Sequence, residues 1–361
     1  MSFSLSYLRK NSFLASMKGF ASDNYAGVLP EVMEAVQRAN TDHARSYGAD
    51  EVTARTVKLF REVFGADVDV FFVFNGTGAN VLSISSATRS FNSVLCAETS
   101  HIYCDESSAP ETFTGCRFFP LRSNEQGKLN SEIIRRRLIR KGDMHYAQPQ
   151  IISLTQTTEY ATVYTVDELK AVGKLAREHE LIYHIDGSRF FNAAASLGRS
   201  LKEMSTDIGL DILSLGGTKA GMMYGEAVVV FNKKLAEHLA FKHKQSMQLA
   251  SKNRFIAAQF EALLTGEQWR KHASHANAMA ELLYDAIKDI PGVQVTKPVQ
   301  ANGIFAIHPA AWNEHMWEQY PYYIWDEHTN EIRLMCSWDT TEEEVKTFAG
   351  RMKKLSMDKA V

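Results

Sequence analysis

Phe71-Phe72-Val73-Phe74-Asn75-Gly76-Thr77-Gly78-Ala79-Asn80 is an apolar run that enters a glycine turn and leaves it as the start of a helix. Four successive large apolar residues read as a strand buried on both faces, the kind found in a mostly parallel sheet with crossover helices. Comparable runs at 93–97, 151–155, 181–185, 211–215 and 227–231 alternate with helical periodicity, as at 166–178, where Asp167 and Glu168 stand in the first turn. Upstream, Pro30 suits a first helical turn, and Gly65 stops a helix predicted from about 50 to 64. The class is therefore α/β. Beyond Phe231 the chain reads as long helices, broken at Thr265-Gly266 and ended by Pro291-Gly292. Runs at 293–296, 303–307 and 332–335 then alternate with helices near 310–319 and 341–355, which predicts a small α+β unit. The expected organisation is an N-terminal arm (1–19), a large domain (20–250) and a small C-terminal domain (251–361).

The chain of 361 residues is long enough for two domains, and 45% apolar with 23% charged residues excludes disordered and fibrous classes. Forty basic against 42 acidic residues leave −2, with no basic excess to neutralise a phosphate backbone, so nucleic acid is not an expected partner. The longest apolar runs, 71–74 and 227–231, fall far short of the ~18 residues that span a bilayer, and no membrane association is expected. Cys96, Cys104, Cys116 and Cys336 form no metal-binding spacing and are too sparse for a disulfide framework. They are expected to be reduced thiols of a cytoplasmic protein. The first 22 residues carry Arg9, Lys10 and Lys18 but no acid, a transit-peptide-like bias read here as a basic arm, because no cleavage-like boundary follows.

Three strand ends carry chemistry. At 76–78 a glycine turn opening a helix offers backbone N–H groups and a helix dipole to an anion, although the same residues also read as a tight structural turn. Neither a dinucleotide fingerprint nor a nucleotide P-loop is present. Leu181-Ile182-Tyr183-His184-Ile185-Asp186-Gly187-Ser188-Arg189 ends a strand on a carboxylate that needs a cationic partner. An Asp186–Arg189 ion pair or a helix cap would also satisfy it. Asp211-Ile212-Leu213-Ser214-Leu215-Gly216-Gly217-Thr218-Lys219-Ala220-Gly221 ends a third strand on one lysine among small residues, where burial would make an amine nucleophile and exposure an ordinary loop lysine. Together, a phosphate cradle, a strand-end Asp and a glycine-flanked Lys meet the needs of pyridoxal phosphate: a phosphate anchor, a carboxylate for the pyridine nitrogen and an amine for the imine. His101, just after a strand, supplies a ring that could stack on the cofactor.

These motifs, in this order from Phe20 to about Val345, resemble the low-specificity threonine aldolase and aromatic β-eliminating lyase group of aspartate-aminotransferase-fold enzymes. The segments 20–24, 214–219 and 248–255 are most similar to the phenylserine-aldolase-like branch. The resemblance implies fold type I, with a large mostly parallel-sheet domain and a small α+β domain. It makes Lys219 the lysine bonded to pyridoxal phosphate, Asp186 the pyridinium partner, His101 the stacked ring and Gly76, Thr77 and Gly78 the phosphate loop. Gln156 and Arg189 also fall among the cofactor-binding positions. Ser22, Arg189 and Arg333 match groups that grip a substrate carboxylate, which suits the bidentate fork of arginine. Tyr47 and His145 match positions that approach the site, sometimes from a neighbouring subunit, and His101 and His145 are both candidates for the base.

The sequence departs from the family at Thr218-Lys219-Ala220, where Ser-Lys-Gly is usual, and at Ala250-Ser251-Lys252, so that Lys252 and Arg254 both compete for the phosphate. Thr155-Gln156-Thr157-Thr158-Glu159 replaces Glu-Asn-Thr-His, which changes what faces the substrate's β-carbon. The implied activity is cleavage of a β-hydroxy-α-amino acid to glycine and an aldehyde by a homodimer or homotetramer, with β-elimination or transamination of an aromatic amino acid as the alternative.

Overall fold

The computed structural model describes residues 18–358, so the expected N-terminal arm lies outside the described residues except for Lys18 and Gly19. The described residues form two compact units: Gly27–Ser274, and 18–26 joined with 275–358. The expected boundary at 250 falls inside the larger unit. Helix Arg254–Leu264 belongs there because Phe260 is buried against Phe60 and Phe72, with ring centroids 5.4 and 5.5 Å away.

The larger unit holds a seven-stranded sheet of β1 (Asp69–Val73), β2 (Asn92–Ala97), β3 (Arg117–Leu121), β4 (Gln148–Thr155), β5 (Ile182–Gly187), β6 (Ile212–Gly216) and β7 (Glu226–Val230), in the order β1-β7-β6-β5-β4-β2-β3. Parallel pairing runs from β6 to β3, whereas β7 is antiparallel to both neighbours. The connection 217–225 between β6 and β7 is too short for a crossover helix, so the chain turns straight back. As a result the carboxyl ends of β1, β4, β5 and β6 and the first residue of β7 share one edge of the sheet.

Local signals account for the helices. Asp50 caps Glu51–Phe64 through the Thr53 N–H at 2.8 Å, and Gly65 closes it in the left-handed region. Thr165 and Glu168 form a capping box on Val166–Glu178. Strand β3 was not anticipated, since Pro120 argues against a strand, but β3 lies at the sheet edge, where a missing N–H leaves no ladder bond unmade.

The smaller unit has an antiparallel sheet of β8 (Gln294–Val295), β9 (Gly303–Ile307), β10 (Tyr323–Asp326) and β11 (Glu331–Met335), in the order β10-β11-β9-β8. Helix Glu342–Met357 contributes Val345, Phe348 and Met352 to its core. Phe20 completes that core: its ring centroid lies 4.8 Å from Phe348, its N–H donates to the Pro321 carbonyl at 2.9 Å and its carbonyl accepts from Met335 N at 2.7 Å. A Cβ on Gly19 would stand 2.7 Å from Pro321, so glycine permits this approach. Among the described residues no helix is long and apolar enough to cross a membrane.

Candidate active site

The larger unit gathers its reactive groups at the shared sheet edge. Beyond β1, Asn75 caps helix Gly76–Ala87 by accepting the Gly78 N–H at 2.8 Å. The Gln248 amide oxygen accepts from Phe74 N at 3.0 Å, and a Cβ at Gly78 would strike this side chain at 2.3 Å. Nothing lies within 4 Å of a Cβ built on Gly76, so the first turn has open space beside it. The helix is fixed to the sheet by a buried chain in which Ser83 pairs with Ser214 at 3.0 Å. Ser214 in turn meets His184 Nε2 at 3.0 Å, and Ser153 meets His184 Nδ1 at 2.9 Å. Burial lowers His184 to about 4, against the pull of Asp186, so its ring is neutral around pH 7.

Asp186, buried at the end of β5, accepts the Ser188 N–H at 3.1 Å and the Asn80 amide at 2.9 Å. The same Asn80 amide donates to Glu106 at 2.8 Å, and Glu106 meets His101 Nδ1 at 3.0 Å. The His101 N–H donates to Glu159 at 3.1 Å. Burial lowers the His101 pKa, but the hydrogen bond to Glu106 and the charges of Glu159, Asp186 and Glu106 outweigh it and leave the pKa raised. Burial, helped by Asp186, raises Glu159, while His101, Arg189 and Lys219 pull the other way. His101, Glu106 and Asp186 offer ligand atoms within 4.8 Å of one another. A cation among them would also meet the Asn80 NH2, a donor already spent on both carboxylates.

Lys219 is half-buried in the turn Thr218–Ala220 beyond β6. That turn is anchored by Glu226, which accepts from Gly217 N and from Thr218. Burial pushes Glu226 up from 4.5 to about 7 despite those bonds and the nearby Lys219 charge. The folded chain therefore keeps a proton that the unfolded chain releases between about pH 4.5 and 7, and stability falls as pH rises through that window. At 1.36 kcal/mol per unit the loss is roughly 3 kcal/mol. Glu226→Gln cannot ionise, so its urea-unfolding free energy should gain on wild type by up to roughly this amount between pH 5 and 8. A constant difference across that range would show that Glu226 does not titrate there.

The structure brings Gly76, Thr77, Gly78, His101, Asp186, Arg189 and Lys219 to this edge, and Gln156 follows β4 there with its backbone N donating to the Asp186 carbonyl at 2.8 Å, whereas the other expected residues stand elsewhere. Gln156 is buried with its amide spent on the Tyr164 backbone, donating to the carbonyl at 2.9 Å and accepting from N at 3.0 Å. It clamps the 156–164 loop at the carboxyl end of β4. His145 is exposed and precedes β4, at the opposite edge of the sheet, about 25 Å of strand away from Thr155. Tyr47, exposed, bonds Ser251 through its backbone, and Arg254 donates to the Thr41 and Asp42 carbonyls at 3.3 and 3.4 Å, while Lys252 is exposed. In the smaller unit, Ser22 accepts from Asn24 N at 3.2 Å, and buried Arg333 donates to the Ala21 carbonyl at 3.3 Å beneath the Tyr323 and Trp325 rings. Asn80, Glu106, Glu226 and Gln248 were not anticipated. The one sequence signal for Asn80 was its place one turn into the helix from Gly76, on the side that meets the sheet.

These donors fit pyridoxal phosphate: a buried carboxylate, a half-buried lysine and an open helix start lie on one edge, with room beside Gly76 for an anion. A low specificity L-threonine aldolase from a Pseudomonas species is 45% identical over 335 residues, which cover 91% of this chain and 95% of that protein. A solved threonine aldolase from Leishmania major is similar with a TM-score of 0.89 at 27% identity, over 94% of this chain and 99% of that one. An aspartate aminotransferase from Thermus thermophilus, 16% identical, shares the fold with a TM-score of 0.68 over 94% and 92% of the two chains. The family model described as beta-eliminating lyase matches residues 19–309. With its fold and most of its length in common with these proteins, this chain belongs to the beta-eliminating lyase family.

Proposed function

We propose that the protein is a pyridoxal-phosphate-dependent aldehyde-lyase that cleaves the Cα–Cβ bond of threonine-, allo-threonine- or phenylserine-type amino acids into glycine and an aldehyde. The observation that carries this reading is the meeting of Asp186, Lys219 and the 76–78 helix start at one sheet edge, in a chain 45% identical to a named threonine aldolase. When bound, the cofactor supplies an electron sink for the bond being broken. Asp186 would keep the pyridine nitrogen protonated, Lys219 would hold the cofactor covalently, and the helix start would receive its phosphate. His101 would cover the ring.

Removal of the β-hydroxyl proton needs a base that titrates near neutrality within hydrogen-bond reach, which suits histidine. His101 is this chain's own candidate, whereas His145 could serve only a neighbouring copy's site. Arg189 is the larger unit's candidate for the substrate carboxylate, and Ser22 with Arg333 are those of the smaller unit. Tyr47, Lys252 and Arg254, close together on the surface of the larger unit, support a homodimer or homotetramer that shares sites. Four free cysteines suit a reducing cytoplasm.

Incubation with pyridoxal phosphate and threonine or phenylserine should release glycine and the matching aldehyde in equal amounts. Ammonia with a keto acid, or a keto acid without ammonia, would overturn the aldolase reading in favour of elimination or transamination.

A further inference from the structure

His101 stands five residues before Glu106, and the chain between them is a short helix, His101–Cys104, and a tight turn. Two successive non-glycine residues, Ser107 and Ser108, then take φ of 49° and 55°. That left-handed pair costs energy wherever it occurs and persists only when its surroundings require it. Here it turns the Glu106 side chain into the core, where only 1% of it is exposed, while 40% of the His101 side chain stays accessible. A buried carboxylate so placed is expensive without partners. Its partners are two: one oxygen accepts the Asn80 amide at 2.8 Å and faces His101 Nδ1 at 3.0 Å. The other hydrogen of the Asn80 amide goes to Asp186 at 2.9 Å. Since the Asn80 NH2 only donates, both carboxylates must accept from it, and the Glu106 oxygen facing His101 is an acceptor too.

We propose that Glu106 is a positioning residue for His101: it holds the ring proton on Nδ1, leaving Nε2 as the atom that takes up and releases a proton, while Asn80 ties Glu106 to Asp186. Neutral imidazole in water favours the proton on Nε2, which would leave no lone pair facing outward from Glu106. A carboxylate on Nδ1 reverses this preference and strengthens the base, the same second-shell device that orients metal-bound histidines. The unit Asp186–Asn80–Glu106–His101 thus joins the pyridinium partner to the stacked ring through hydrogen bonds alone. A basic Nε2 aimed outward is what removal of a β-hydroxyl proton requires, and to that extent the inference rests on the aldolase reading.

The experiment uses the holoenzyme. In wild type, the 15N spectrum of labelled histidine, with His101 assigned through His101→Asn, should show neutral His101 protonated on Nδ1. In Glu106→Ala it should shift toward the Nε2-protonated form. The acid limb of the pH profile of kcat/KM for phenylserine cleavage should move down by about one unit in Glu106→Gln, which keeps the shape but loses the charge. Glu106→Asp should restore it in part. A purely structural role would lower kcat/KM evenly across pH and leave the limb in place. An unchanged tautomer in Glu106→Ala, or, should that variant not fold, an unchanged limb and tautomer in Glu106→Gln, overturns the proposal. Absence of glycine and aldehyde from wild type would instead sink the aldolase reading, and the tautomer measurement would still decide the role of Glu106.

Discussion

Lys219→Ala is expected to lose turnover by roughly 10³-fold or more, about 4 kcal/mol of barrier, because no other amine of the larger unit stands at the carboxyl end of β6 with a lysine's reach. The Thr218–Ala220 turn that carries it is held from below by Glu226, and the strand leading into it is buried along its whole length. The backbone from which Lys219 projects is thereby fixed at the sheet edge. Added cofactor should therefore bind to the variant only through its phosphate and ring and should wash out on dialysis, with loss of the visible absorbance band. Borohydride treatment of wild type, followed by peptide mapping, should find the pyridoxyl group on Lys219. Recovery on Lys252, or retention of covalent cofactor in Lys219→Ala, would overturn the assignment.

The second large effect belongs to Asp186. Alanine there would remove the charge that keeps the pyridine nitrogen protonated, and it would leave the Asn80 amide and the Ser188 N–H short of an acceptor in a buried place. The latter costs about 1–3 kcal/mol of stability for each unsatisfied donor, so lost activity in Asp186→Ala mixes two causes. Asp186→Asn reduces the second cause, because it keeps the shape and one acceptor oxygen and leaves only one of the two donors unsatisfied. Turnover in this variant should fall by roughly 10²-fold or more, with cofactor still covalently held and the melting temperature within a few degrees of wild type. Turnover within twofold of wild type would remove Asp186 from the chemistry.

The large-unit fold was legible where a strand is an apolar run closed by glycine, as at β5 and β6, which are buried on both faces; β1 was legible as a strand too, but it lies at the sheet edge, so Phe71 is only partly buried and Phe74 is exposed, against the expectation of burial on both faces. These same ends carry Gly76, Asp186 and Lys219, which is why the reactive edge could be read together with the fold. Glu106 was not legible. It lies in Cys104-Asp105-Glu106-Ser107-Ser108, which looks like a solvated loop, and its burial comes from Asn80 and the sheet, far away in sequence. Glu226 was hidden for a related reason: a carboxylate at the start of a strand reads as an exposed end, until β7 turns antiparallel and carries it under the Lys219 turn. The boundary at 250 was misplaced because helical periodicity is the same whichever unit a helix packs on. Contacts decide it, those of Phe260 with Phe60 and Phe72 and of Ala258 with Ala35 and Ala39 among them.

The smaller unit is assembled from both ends of the chain, with Phe20 at the centre of a core otherwise drawn from residues beyond His275. Proteins are made from the amino terminus, so Phe20 leaves the ribosome early and must wait through the synthesis of the entire larger unit before Pro321, Met335 and Phe348 exist to receive it. During that interval the aromatic ring and the bare backbone groups of 19–22 are open to water and to other chains. The larger unit, continuous in sequence, has no such delay and can be complete while the rest is still being translated. Removing the stretch around Phe20 would thus damage the domain encoded at the far end of the message.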